Sequence, residues 1–325
     1  MAGKARKRKY KKLRWDRVIK TAVVIAGAVF AIDAGIRNVK GEPDKNINAD
    51  EFSTSVSTPD NTPEPSSEEN GITFVENDGK DTKSELLFET LLPENQIYEG
   101  RLTLVNEYYE ENSGVSKKLV DLAYVKNDYY NLIAETMMLD SDAAEALNEL
   151  MRDYNNATDF SDFVVYGTTK KYTGEDSCYS EFFKESKLGY TVDLALNGYG
   201  EVIAYDGKDA EGWVVENCWK YGFIVRYPQG KNDITGHSYC PWHLRYVGKA
   251  NAGVMHKNNI CLEEYVESIS AYKAENPLEY TYDSVDYMIY SIDSEGESTR
   301  FYAPNSTYSV SGNGKNGFII TVPKD

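Results

Sequence analysis

Hydrophobic and polar positions fall into regular patterns only from about Leu86 onward. Arg101 to Tyr109 (RLTLVNEYY) alternates as a strand does. Asp142-Ala-Ala-Glu145 has the form of a capping box and opens a helix with Leu147, Leu150, Met151 and Tyr154 on one face. A strand is predicted at Phe163 to Tyr166 and another at Thr191 to Leu196 (TVDLAL). Asp209 is placed to cap a helix that carries Trp213, Val214 and Trp219 and stops at Gly222. Phe223 to Tyr227 and His243 to Val247 read as strands, and Cys261 to Tyr272 as an amphipathic helix. After Pro277, tyrosine-rich alternation broken by Gly, Asn and Ser clusters predicts three to five short strands, a β-rich appendage over 276–325. Helices interleaved with an antiparallel sheet make the fold class α+β.

The first 84 residues read differently. A basic segment, 1–17, precedes an apolar stretch that extends over 18–36, about nineteen residues and near the length that spans a bilayer. It is expected to be a retained transmembrane helix, with a cleaved signal peptide as the alternative, and the positive flank keeps the N-terminus cytoplasmic in either case. Residues 37–84 hold Pro43, Pro59, Pro63 and Pro65 among Asp, Glu, Asn, Ser and Thr, the composition of a disordered linker. The expected location is thus the cell membrane, single-pass, with the main domain extracytoplasmic.

Charge sharpens this picture. Residues 1–37 carry eleven Lys and Arg against Asp16 and Asp33, so with a whole-chain charge of −17 the remainder holds −26. Nucleic acid, whose phosphates dominate its binding energetics, is not an expected partner. The four cysteines, Cys178, Cys218, Cys240 and Cys261, permit three full disulfide pairings, and the sequence does not choose among them.

The chemistry concentrates in Trp213 to Gly248, WVVENCWKYGFIVRYPQGKNDITGHSYCPWHLRYVG. This segment resembles the zinc-site end of the VanY-type D-alanyl-D-alanine carboxypeptidases, which trim peptidoglycan stem peptides. The family pattern Ser-x-His-x-x-Gly-x-x-x-Asp is similar to the stretch Glu185 to Asp193 through Gly189 and Asp193. The resemblance implies a carboxypeptidase-like domain over 85–275 and a zinc held by His, Asp and His. Asp193 and His243 match the second and third ligands, and Ser186 stands where the first histidine would be. The family's Glu-Pro-Trp-His, whose glutamate is the general base, reads Cys240-Pro241-Trp242-His243 here. All three histidines lie at or after His237, so none upstream of Asp193 replaces the missing ligand. The family's carboxylate-gripping arginine also has no counterpart, its place being taken by Thr168-Thr169-Lys170.

Catalytic zinc needs three protein ligands and an open position for water, and a carboxylate to take the water's proton. The expectation is therefore a catalytically degenerate protein with no cofactor, in which Cys240 replaces the base. It would bind cell-wall peptide or an extracytoplasmic partner through Trp242, Tyr239 and Lys170. The alternative is an active metallopeptidase with a rebuilt zinc site of Asp193, Cys240 and His243, completed by His237. A thiol hydrolase with Cys240 as nucleophile is a third arrangement.

Overall fold

The computed structural model describes residues 88–105, 114–169, 183–198, 201–303 and 307–324. The expected transmembrane segment 18–36, the linker 37–84, Cys178 and Lys170 lie outside them. Among the described residues no helix is long and apolar enough to cross a membrane.

The central sheet is mixed. Its strands run in the order β3 (Asn131–Leu132), β5 (Phe163–Gly167), β6 (Thr191–Gly198), β9 (Cys240–Tyr246) and β8 (Phe223–Tyr227). Strand β7 (Glu201–Ala204) adds to the far half of β6, and β3 and β5 form the sheet's parallel pair. Two short strands, β2 (Leu119–Asp121) and β4 (Met138–Asp140), pair beside it. Helix α1 (Ser141–Thr158) covers one face, burying Leu147, Leu150, Met151 and Tyr154 as its period requires. Full burial of a leucine side chain contributes about 1.5–3 kcal/mol, so this face anchors the helix. The cap is Asp140, two residues earlier than the Asp142 pattern predicts. Its carboxylate accepts from the amides of Asp142 and Ala143.

A short helix α2 (Phe183–Ser186) precedes β6, and the predicted Asp209–Gly222 helix is divided into a 3-10 turn, helix α3 (Gly212–Asn217) and a second 3-10 turn. Asp209 does not cap it: its own φ is +55°, inside the first turn. The chain stops at Gly222 with φ +87°, and a Cβ there would press on Tyr246 and the Lys249 amide. The strand predicted to start at His243 starts instead at Cys240 and runs through Pro241. Tyr227 faces Cys240 and Val225 faces Leu244, so three residues of β9 between them oppose one of β8. The bulge tolerates a proline that a regular ladder would not.

The strand expected from Arg101 fails for its described part, 101–105, which is turn and coil. Leu102, Thr103, Leu104 and Val105 are all buried in succession, where a strand on one face would alternate. Side chains satisfy much of this backbone instead: Ser311 Oγ accepts from the Leu102 amide, and Arg245 donates to the carbonyls of Arg101 and Thr103.

Helices α4 (Lys249–Asn258) and α5 (Leu262–Ile269) follow β9. In α5 the buried Leu262, Tyr265, Val266 and Ile269 keep the i, i+3, i+4, i+7 spacing, and Glu264 accepts from the Cys261 amide at 2.9 Å. Residues 278–324 supply five strands, the upper end of the predicted number. Strands β10 (Leu278–Tyr282), β11 (Val285–Asp293), β14 (Gly317–Lys324) and β13 (Ser309–Gly312) form one antiparallel sheet. Strand β12 (Ser298–Ala303) instead pairs with β1 (Phe88–Pro93), the first described strand. Ile289 of β11 and Ile319 of β14 share a core with Leu102, Leu104, Val254 and Tyr265. The C-terminal strands thus pack with the helices and with the chain's first ordered residues.

Candidate functional site

Strands β6 and β9 are neighbours whose register sets Asp193 directly opposite His243. Their side chains meet: Asp193 Oδ1 lies 2.5 Å from His243 Nδ1, and both residues are buried. Room for the carboxylate comes from the other flank. A register shift at Tyr166 places Gly167 of β5 against Asp193, where any Cβ would collide with Asp193 Oδ2. The Tyr227 ring stacks on the His243 imidazole, 5.6 Å between centroids at 13°, and Trp242 meets the imidazole nearly edge-on. His237 packs on the opposite partner, the Tyr227 ring, at 4.4 Å.

Beside this pair lies a second charged assembly. Arg226 Nε donates to both oxygens of Glu185 at 3.1 Å, while its terminal nitrogens grip Glu263 at 2.6 and 2.9 Å. Arg245 Nη1 donates to Glu185 at 3.0 Å, and the Tyr227 hydroxyl donates to Glu185 at 3.2 Å. Burial by itself would raise the Glu185 carboxyl, but Arg226 and Arg245 outweigh it and hold the group below the usual carboxylate range. The two guanidiniums diverge. Burial lowers Arg245, whereas Arg226, despite its own burial, is driven up by Glu185 and Glu263 together. Two cations thus face two anions, which is how buried charge persists.

Ser186 is buried on α2, directly after Glu185. Cys240 is buried, with Sγ donating to the Ser238 carbonyl at 3.3 Å. Tyr239 is exposed and Trp242 half-buried. Cys218 and Cys261 are free, their thiols pushed up to about 12 by burial. His256, exposed on α4, stacks on Trp219 at 4.3 Å. Two hydroxyls near the pair, Thr168 beyond Gly167 and Thr191 two residues before Asp193, are buried and make no hydrogen bond.

The donor set does not fit a zinc ion in this arrangement. Zinc takes nitrogen and oxygen at about 2.0–2.2 Å in a tetrahedron, which separates two ligand atoms by roughly 3.3 Å. Asp193 Oδ1 and His243 Nδ1, 2.5 Å apart, are closer than that. Among the described residues no three His, Cys, Asp or Glu side chains gather as metal ligands.

Sequence reasoning overlooked the Glu185–Arg226–Glu263 network, although single arginines inside the apolar strands FIVRY and WHLRY are its signal, since an arginine there must be buried and paired.

Comparison with known proteins places the site in context. Residues 183–249 match the family model for VanY, D-alanyl-D-alanine carboxypeptidase. A D-alanyl-D-alanine carboxypeptidase of Enterococcus faecium is 29% identical over 269 residues, which cover 78% of this chain and 84% of that protein. The vancomycin-resistance D,D-dipeptidase VanXYg, solved with a D-Ala-D-Ala phosphinate analogue, superposes with a TM-score of 0.62 at 24% identity, over 73% of this chain and 99% of its own. A VanY E175A mutant from a VanB-type cassette, solved with Zn(II), is 25% identical over 51% of this chain and 98% of its own, with a TM-score of 0.37.

Proposed function

Because the chain belongs to the VanY family of D-alanyl-D-alanine carboxypeptidases, we propose that it binds D-Ala-D-Ala-terminated cell-wall peptide with little or no hydrolysis. The observation that supports this reading is the Asp193–His243 pair, closed on itself at 2.5 Å. Cys240, at the position matched to the family's base, is a thiol that donates a hydrogen bond to the Ser238 carbonyl. Loss of a general base alone costs about 10²- to 10⁴-fold in rate.

Binding capacity remains. The hydroxyls of Thr168 and Thr191, buried without a hydrogen bond, each leave about 1–3 kcal/mol of desolvation uncompensated. Tyr239, exposed, and Trp242, half-buried, supply contact surface at the start of β9, and Lys170 a charge for the peptide's carboxylate. The apolar stretch 18–36 would hold this domain outside the membrane on its linker, with an extracytoplasmic protein as the other partner class.

The test uses the full chain in detergent. Zinc content is measured by mass spectrometry, and D-alanine release from a D-Ala-D-Ala peptide is followed beside equilibrium binding of the same peptide. Saturable binding without D-alanine release is expected. Stoichiometric zinc and chelator-sensitive turnover, both lost in Cys240→Ala, would establish the metallopeptidase alternative instead.

A further inference from the structure

A cavity of about 650 Å³ opens where the segment around Arg101, the ends of β6 and β9, and the C-terminal sheet converge. It is not the site described above. Along β6 and β9 the Thr191↔Arg245 pair separates Asp193↔His243 from Tyr190 and Tyr246, which line the cavity, and the Arg245 guanidinium is fully buried between. Three residues of strand set the two places about 10 Å apart.

The wall chemistry is specific. Four tyrosines contribute, of which Tyr190, Tyr287 and Tyr308 are half-buried and retain exposed surface. Charged groups are present with both signs, four cations against three carboxylates, and they pair with one another at the rim: Lys117 with Glu99 at 2.9 Å, Lys118 with Asp142 at 3.6 Å. An ionic ligand of either sign would therefore meet as much repulsion as attraction. Hydroxyl groups, which donate and accept at once, suit alternating carboxylates and ammoniums, and the apolar faces of sugar rings suit tyrosines. The volume falls within the range of small-ligand sites.

We propose that this cavity is a binding site for a neutral oligosaccharide of about two rings. It extends the molecule's contacts beyond the peptide site and does not depend on that reading. Tyr287 and Tyr308 bring the C-terminal sheet into the ligand, which gives that sheet a recognition role.

The probe is the β-1,4-linked disaccharide of N-acetylglucosamine, titrated into the full chain with calorimetry and amide chemical-shift mapping. Saturable binding is expected, with shifts at Tyr287, Tyr308 and Thr321. The double variant Tyr287→Ala, Tyr308→Ala should weaken it about tenfold, since each aromatic contact contributes a few-fold in affinity. The disaccharide and D-Ala-D-Ala dipeptide should bind independently. No saturable binding, shifts confined to the Asp193–His243 region, or competition between the two probes overturns the assignment. Should the double variant not fold, the mapping on the unaltered chain decides alone.

Discussion

Two buried charge assemblies stand side by side on one sheet and differ in how firmly they are held. The Glu185–Arg226–Arg245–Glu263 cluster joins α2, β8, β9 and α5, and through Arg245 it also binds the carbonyls of Arg101 and Thr103. The Asp193–His243 pair joins only two adjacent strands. The larger cluster is a device of the fold, centred on Glu185, which is shared by both guanidiniums. The smaller pair has the connectivity of a local contact.

Breaking the larger cluster should have the largest effect. Glu185→Ala leaves the buried Arg245 without a carboxylate partner and Arg226 with Glu263 alone, and the expected loss is about 3–5 kcal/mol, read as a fall in urea midpoint. Retention of wild-type stability would show that the cluster does not hold the fold. Asp193→Ala removes one charge-assisted bond and should cost about 1.5–3 kcal/mol, with loss of the hydrogen-bonded imidazole N–H resonance of His243. Gly167→Ala sharpens the comparison by leaving both partners in place and forcing them apart. The new methyl meets Asp193 Oδ2, so about 1–3 kcal/mol is expected together with the same N–H resonance change, while the Glu185 cluster stays intact.

Acid is the mildest probe. The Glu185 carboxyl is held below its ordinary value of 4.5 in the folded protein, so the unfolded chain takes up the proton first as pH falls. The contribution to stability is complete above the unfolded value and is lost as pH drops toward the folded one. Melting temperature should therefore be flat above about pH 5 and decline below about 4.5. A decline that begins near neutrality would place the sensitive group elsewhere.

Periodicity located most elements after residue 119, because helices and strands that bury one face must repeat at 3.6 or 2 residues. It failed at Arg101–Val105, where Leu102 to Val105 are buried in succession and the backbone is satisfied by Arg245 and Ser311 from more than a hundred residues away. It misplaced the cap of α1 because Asp140 and Asp142 are equivalent in sequence and only the entry of β4 decides between them. The candidate site was legible as residue types. Asp193, His243 and Cys240 could be named, but not that the first two close on each other, or that Cys240 turns to the Ser238 carbonyl.

The amino-acid order alone determined the acidic body behind a basic start, the α+β alternation, and the absence of any histidine ahead of Asp193, since composition and local period need no partner to be read. Only the tertiary structure decided which charges neutralise which, that β12 returns to pair with β1, and that Gly167 makes space for the Asp193 carboxylate. Those contacts join residues far apart in the chain, and their energies depend on distance and burial that no local pattern encodes.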